Sequence, residues 1–214
     1  MLTFLMRKGI IKGRNDTKKG QLMKDSHLLE TLVSREEIFD GCVLHVTRDT
    51  VRLPNGKNAV REVAWHGGAV AVLPLFEDGT VLMERQYRYA HLRVVFEIPA
   101  GKLDSPEEDH LEAAVRELRE ETGLSASSIT DLGMIAPSVA VLSERIHLYL
   151  AEGLTSGETD LDEDEFLSLE RVKLTELHRM VMEGKIEDSK TQIAILKVME
   201  LLRLREGRTM TQLS

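Results

Sequence analysis

The chain has 214 residues, with 36 Asp and Glu against 28 Lys and Arg, a formal net charge of −8, and 42% hydrophobic and 30% charged residues. That balance describes a folded chain with a core and excludes both a disordered polymer and a surface built to hold nucleic acid. The lone cysteine, Cys42, rules out an internal disulfide and fits a reducing, cytoplasmic setting, and no run of about 18 apolar residues offers a membrane span.

Residues 1–28 read as a basic, flexible extension, since Arg7, Lys8, Lys12, Arg14, Lys18, Lys19 and Lys24 face only Asp16 across residues 1–24. Met1 to Met6 is too short for the apolar segment of a signal peptide, and organelle targeting by the basic arm stays open. Cys42 precedes an apolar-rich run and reads as a small buried hydrophobe. Residues 37–65 carry strand signals: Val43, Val46, Val51 and Leu53 lie among polar residues, and Pro54-Asn55-Gly56-Lys57 is a turn between two such runs. Gly67-Gly68 breaks the pattern. Ala69 to Leu75 is a nearly continuous apolar run, the mark of a buried strand. Glu77-Asp78-Gly79-Thr80 reads as a hairpin turn into a return strand, Val81 to Tyr87. Val94 to Ile98 is a further strand, which Pro99-Ala100-Gly101 ends.

The clearest helix spans 108–122, with Leu111, Ala114, Val115, Leu118 and Thr122 on one face and Gly123 as its C-cap. Ile146, Leu148 and Leu150 then alternate with His147 and Tyr149 as a strand. Residues 151–165 read as an acidic loop, and Leu167 to Val172 as the last strand. Thr175 to Met182 and Lys190 to Leu204 read as helices separated by Gly184. Ile195, Met199 and Leu202 keep the spacing of a core-facing stripe. The whole is mixed α/β (α+β), with hairpin-linked strands and no regular βαβ repeat.

Glu117, Glu120 and Glu121 sit at i, i+3 and i+4 of the helix, which places three like charges on neighbouring positions. Such pairs weaken an isolated helix by tenths of a kcal/mol each, the wrong direction for a purely structural face. A divalent cation reverses that logic, because Mg²⁺ prefers hard carboxylate oxygens and completes its shell with water and substrate phosphates. Arg116 is placed to pair with one of the glutamates and hold its rotamer. A bare Arg-Glu-x-x-Glu-Glu is usually a solvated face. Here Gly101 lies 15 residues upstream of Arg116, Glu108 lies between them, and a glycine closes the helix.

Gly101-Lys102-Leu103-Asp104, Glu108, Arg116-Glu117-Leu118, Glu120-Glu121 and Gly123-Leu124 together resemble the Nudix box. One departure is present: six residues, not five, separate Gly101 from Glu108, and the extra one falls in the Asp104-Ser105-Pro106-Glu107 loop, which can absorb it. Further segments are similar to the ADP-ribose pyrophosphatase branch of that family. They are Glu84-Arg85-Gln86-Tyr87-Arg88, Phe96-Glu97-Ile98-Pro99-Ala100, Val51 to Gly56 with Arg61-Glu62-Val63, and Pro137-Ser138 with Ser143-Glu144-Arg145.

The resemblance implies a Nudix α/β/α sandwich over 67–207, a small antiparallel β domain for dimerisation over 29–66, and a tail over 208–214. It implies a homodimer with exchanged N-terminal parts, a nucleoside diphosphate sugar as substrate, and no nucleic acid or membrane partner. Mg²⁺, with Mn²⁺ as an alternative, would be held by the carbonyl of Ala100 with Glu117 and Glu121, and Glu120 would share a metal. Arg88 and Glu97 would contact substrate, and Arg61 and Glu62 would reach the partner's site. The catalytic base would come from the acidic stretch 160–165, with Glu163 favoured and Glu165 next. Trp65 either stacks on a base or packs at a domain boundary. His45, His66, His91 and His147 show no metal-ligand spacing. ADP-ribose is the expected substrate, with GDP-mannose or another nucleoside diphosphate sugar as the rival and a non-cleaving ADP-ribose-binding module as a different class.

Overall fold

The computed structural model describes residues 25–105, 107–159 and 166–211. The basic arm over 1–24, Pro106, and the acidic stretch with Glu163 and Glu165 lie outside the described residues. The chain divides into two compact units: residues 1–41 with 45–63, and residues 42–44 with 64–214.

The first unit is a three-stranded sheet in the order β1-β2-β3, built from β1 (Thr31–Asp40), β2 (His45–Arg52) and β3 (Asn58–Trp65), whose last two residues belong to the second unit. The expected turn forms: Leu53 N–H donates to Lys57 O at 2.8 Å, and Gly56 takes the positive φ of +81° that favours glycine there. β1 begins at Thr31, six residues before the strand pattern becomes visible at 37. Its apolar residues do not alternate, and the ladder to β2 slips at Leu32/Ser34 and Glu37/Phe39. Across that ladder Arg35 grips Asp49 with two bonds of 2.9 and 2.7 Å, which holds the buried Asp49 carboxyl below its usual range. Every residue of β1 is exposed, Leu32, Val33, Ile38 and Phe39 included. Cys42 is also exposed, contrary to the buried role its residue type suggests, because it sits in the bend between β1 and β2 and not in a strand.

The second unit holds two sheets. One has the order β7-β4-β9-β8, from β4 (Ala69–Pro74), β7 (Ala100–Lys102), β8 (Leu124–Ile135) and β9 (Ile146–Ser156). The other has the order β10-β5-β6, from β5 (Thr80–Arg88), β6 (Arg93–Glu97) and β10 (Leu167–Lys173). Its helices are α1 (His110–Thr122), α2 (Leu174–Met182) and α3 (Ser189–Thr211).

β4 explains the unbroken apolar run, since both its faces are covered. Ala69, Ala71 and Leu73 join Met83, Ile98, Leu148, Leu177 and Ile195 in one core, while Val70 and Val72 meet Ala113, Ala114, Leu118 and Tyr149 under α1 in another. Helix, sheet and helix are thus layered as expected of the sandwich.

Several local expectations are corrected. The Glu77–Thr80 turn forms, with Phe76 N–H donating to Thr80 O at 2.8 Å, but it is not a hairpin within one sheet. Only an isolated bridge, Leu75↔Val81, joins the strands, which then diverge into different sheets. β6 ends at Glu97, just before Pro99 as expected, but Ala100-Gly101 also opens a further strand, β7, paired antiparallel with Ala69–Ala71. β9 continues to Ser156, so the loop expected from 151 starts later. α3 runs to Thr211, through most of the expected tail.

α1 starts at His110 and not at 108, because Asp109 is its N-cap, accepting from Leu111 N–H at 2.9 Å and Glu112 N–H at 3.1 Å. Its buried face is turned from the expected one. Leu111 and Val115 are 46% and 49% exposed, and the inward row is Ala113, Ala114, Glu117, Leu118, Glu121 and Thr122. At its end Gly123, with φ +68°, donates to Arg119 O at 2.8 Å, and Gly157 N–H donates to Gly123 O at 2.6 Å. A Cβ at Gly123 would lie 2.8 Å from Gly157 O.

At the other end of α1 the His110 ring stacks on His147 of β9, with centroids 3.6 Å apart. Burial first, then the charges of His110 and Arg145, hold the His147 imidazole below its usual range, against the opposing pull of Asp131. The folded state therefore binds that proton more weakly than the unfolded chain. Its stability is retained above the ordinary imidazole range and lost as pH falls through about 6.5. Thermal melts taken from about pH 7.5 down to about pH 5.5 should show a falling Tm, and His110→Gln should flatten that decline. An unchanged slope in the variant would show that the stack does not govern it.

Candidate active site

Where β7 and α1 meet, the second unit encloses a cavity of about 680 Å³. β7 contributes Ala100, Gly101 and Lys102, and α1 contributes Arg116, Glu117, Glu120 and Glu121. Gln86 and Arg88 come from β5, Asp188, Ser189 and Lys190 from the start of α3, and Pro137 and Glu144 from the segment before β9.

The turned face of α1 is what brings the carboxylates inward. Glu121, 2% exposed, accepts a 2.9 Å hydrogen bond from Ala100 N–H. Glu117, 8% exposed, lies directly over Gly101, where an added Cβ would fall 1.9 Å from its carboxyl carbon. A methyl group at 101 would therefore have to push the Glu117 carboxylate from its seat. Glu120 sits one step further out, only partly buried.

Arg116 ties the cluster together. Its Nη1 donates to Glu117 Oε1 at 2.8 Å and Glu120 Oε2 at 3.1 Å. Its Nε donates to Glu108 Oε1 at 3.1 Å, and its Nη2 to Glu108 Oε2 at 3.3 Å and Lys102 O at 3.2 Å. Burial alone would pull the guanidinium pKa down, but the carboxylates of Glu108 and Glu117, with Glu120, more than offset it and push it up. Glu108 is held below its usual range chiefly by Arg116, and it also accepts from Asp104 N–H at 2.7 Å. The extra loop residue is thus absorbed, and Glu108 still reaches Arg116.

A second ionic group contributes Arg88 and Lys190 to the same cavity. Arg88 Nε donates to Glu97 Oε1 at 2.7 Å, and Lys190 donates to Glu97 Oε2 and forms an ion pair with Asp188 Oδ1 at 3.1 Å. Burial opposes the Arg88 charge, yet Glu97 raises its pKa overall. Both oxygens of the buried Glu97 are engaged, so it orients two cations. Lys190, 7% exposed, escaped sequence reasoning. Its position in the first turn of a helix, where a cation opposes the macrodipole, was the available signal. Glu84, fully buried, was missed as well; it stands opposite Glu97 in the β5–β6 ladder.

The remaining expected residues lie elsewhere. Arg61 pairs with Glu30 at 3.0 and 2.5 Å within the first unit, where exposed Glu62 lies 3.6 Å from Arg48. Trp65 is half-exposed and does not line the cavity. His66 Nδ1 accepts from Gly68 N–H at 3.0 Å, and His45 pairs with Glu37 and Asp40. Among the described residues no three His, Cys, Asp or Glu side chains stand ready as a metal-ligand set. The cradle at Gly101 and the all-oxygen donors of Glu117, Glu120, Glu121 and the Ala100 carbonyl suit a hard divalent cation.

An acidic helix docked on a glycine strand, in a cavity that also takes in Arg88 and Lys190, suits the hydrolysis of a phosphorylated substrate. Residues 65–192 match the NUDIX domain, and the chain belongs to the Nudix family of hydrolases, which work with divalent metals. Residues 30–64 match the nucleoside diphosphate sugar hydrolase N-terminal domain. The chain is similar to the ADP-ribose pyrophosphatase of Bacillus subtilis (strain 168), 39% identical over 182 residues, which are 84% of this chain and 96% of the relative. It is similar also to the methanol dehydrogenase activator of Bacillus methanolicus, 40% identical over 178 residues, or 81% and 96% of the two chains. A solved crystal structure of an ADP compounds hydrolase shares the fold, with a TM-score of 0.74 at 23% identity, covering 83% of this chain and 97% of that one.

Gly101→Ala should leave a folded protein by circular dichroism but displace Glu117. An ångström-scale misplacement of that kind typically costs about a hundredfold in rate. Retention of full hydrolytic activity would show that Glu117 does not need its present seat.

Proposed function

We propose that the protein hydrolyses the diphosphate linkage of a nucleoside diphosphate sugar, with ADP-ribose, cleaved to AMP and ribose 5-phosphate, as the leading substrate. The observation that carries this reading is the seating of Glu117 and Glu121 on Gly101 and Ala100. It places buried carboxylates in a cavity that Arg88 and Lys190 also line. The Bacillus subtilis relative, an ADP-ribose pyrophosphatase, adds the preference for ADP-ribose.

Glu117, Glu120, Glu121 and the Ala100 carbonyl would hold Mg²⁺, with Mn²⁺ as the alternative. Such an ion polarises a phosphoryl oxygen and lowers the pKa of a bound water. Arg116 pairs with Glu117 and Glu120. Arg88 and Lys190, both fixed by Glu97, present their charges to the diphosphate and stabilise the charge that builds as the bridging P–O bond breaks. The attacking water gives its proton to Glu163, or to Glu165 next in order. A complete set of glutamates favours turnover over a non-cleaving sensor.

The exposed apolar residues of β1 support a homodimer formed through the first unit. Arg61, Glu62 and Trp65 would then serve the substrate's base from a partner chain. Replacing Ile38 and Phe39 by glutamate should convert a dimer to a monomer in light scattering.

A panel of ADP-ribose, GDP-mannose and other nucleoside diphosphate sugars, with and without Mg²⁺, tests the assignment. ADP-ribose should be cleaved fastest, with release of AMP, and Glu121→Gln should lower the rate by at least about a hundredfold. No AMP from ADP-ribose, or full activity in Glu121→Gln, sinks the proposal. Preferential cleavage of GDP-mannose would move the substrate but keep the chemistry.

A further inference from the structure

The helix that carries the glutamates solves its charge problem with its own arginine. Glu117 and Glu120 would repel across one turn, and Arg116 Nη1 donates to one oxygen of each, at 2.8 and 3.1 Å. Those are two of the carboxylates a divalent cation needs. The guanidinium thus occupies oxygens that a bound cation would have to share.

The other edge of the same guanidinium is held separately. Nε and Nη2 rest on Glu108, at 3.1 and 3.3 Å, and Nη2 also reaches Lys102 O at 3.2 Å. Glu108 is itself fixed by Asp104 N–H at 2.7 Å. One edge of the arginine can therefore release while the other stays anchored, and the planar fork of donors makes that division possible.

We infer that Arg116 is the resting counter-cation of the glutamate helix, exchanged for a divalent cation on loading, with Glu108 retaining the displaced guanidinium. This inference rests on the metal reading of the glutamates given above. It assigns Glu108 a task the loop insertion had obscured. It also opposes the simpler view in which Arg116 only prearranges the carboxylates for metal, because the two views predict opposite signs. A competitor's removal tightens metal binding, and a prearranger's removal weakens it.

Calorimetric titration of the full chain with Mn²⁺ decides between them. Glu121→Gln serves as the control that assigns the measured heat to this site, and it should lose binding. Arg116→Gln should bind Mn²⁺ about tenfold more tightly than the natural chain. It should also melt at a lower temperature in EDTA, and Mn²⁺ should restore more of its Tm than in the natural chain. Glu108→Gln should bind Mn²⁺ several-fold more weakly, since Arg116 loses its fallback. If Arg116→Gln does not fold, Arg116→Lys, whose point charge lacks the bridging fork, should also bind more tightly. Equal or weaker binding in the folded Arg116 variant overturns the inference while the metal reading stands. A natural chain that binds no Mn²⁺ overturns both.

Discussion

Placing Glu117 and Glu121 inside the protein is the constraint from which the rest follows. A buried carboxylate loses hydration worth several kcal/mol and must recover it from fixed donors. Here the donors are backbone and arginine: Ala100 N–H for Glu121, and the Arg116 fork for Glu117. Glycine at 101 leaves room for the Glu117 carboxylate over β7, which lies at the edge of the sheet beside β4. For the helix to present those positions, its apolar contacts must be small, and Ala113 and Ala114 supply them.

The cationic pair obeys the same rule with the signs reversed. Arg88 and Lys190 stand close to each other, which would be unfavourable alone. Glu97 lies between them and takes one from each side. Glu84, opposite Glu97 in the ladder, further favours the charged form of Arg88. The cavity is thus bounded by two balanced ionic groups, one built around an arginine and one around a glutamate. Under the proposed function, a diphosphate would meet charges already oriented.

Much of this was legible in the sequence where the signal is local. The apolar run of β4, the turns at Asn55-Gly56 and Asp78-Gly79, the helix with its glycine cap and the spacing of its glutamates were all readable along the chain. What failed depended on contacts between distant segments. The apolar residues Leu111 and Val115 looked inward-facing, but the glutamates compete for that face and win it through β7. The turn after β4 looked like a hairpin, yet which sheet a strand joins is decided by β6, β10 and the core between them. Lys190 is 93 residues from its partner Glu97, so no window of sequence shows the pair. The start of β1 was invisible because none of its apolar side chains is buried, and the alternation that betrays a strand was never needed.

The two glycines at the end of α1 have a consequence for how the chain can change length. Gly123 fits against Gly157 with no space for a methyl group. The helix is therefore measured from a fixed stop. Adding one residue between Glu117 and Gly123 would rotate the carboxylates by about 100° around the axis and carry them off β7. Upstream of Asp109 no such stop exists. A residue inserted in the 104–108 loop only lengthens the path to the cap, and Glu108 still finds its arginine. The chain's own surplus residue lies in that loop, the one stretch of the motif where length can vary without moving a ligand.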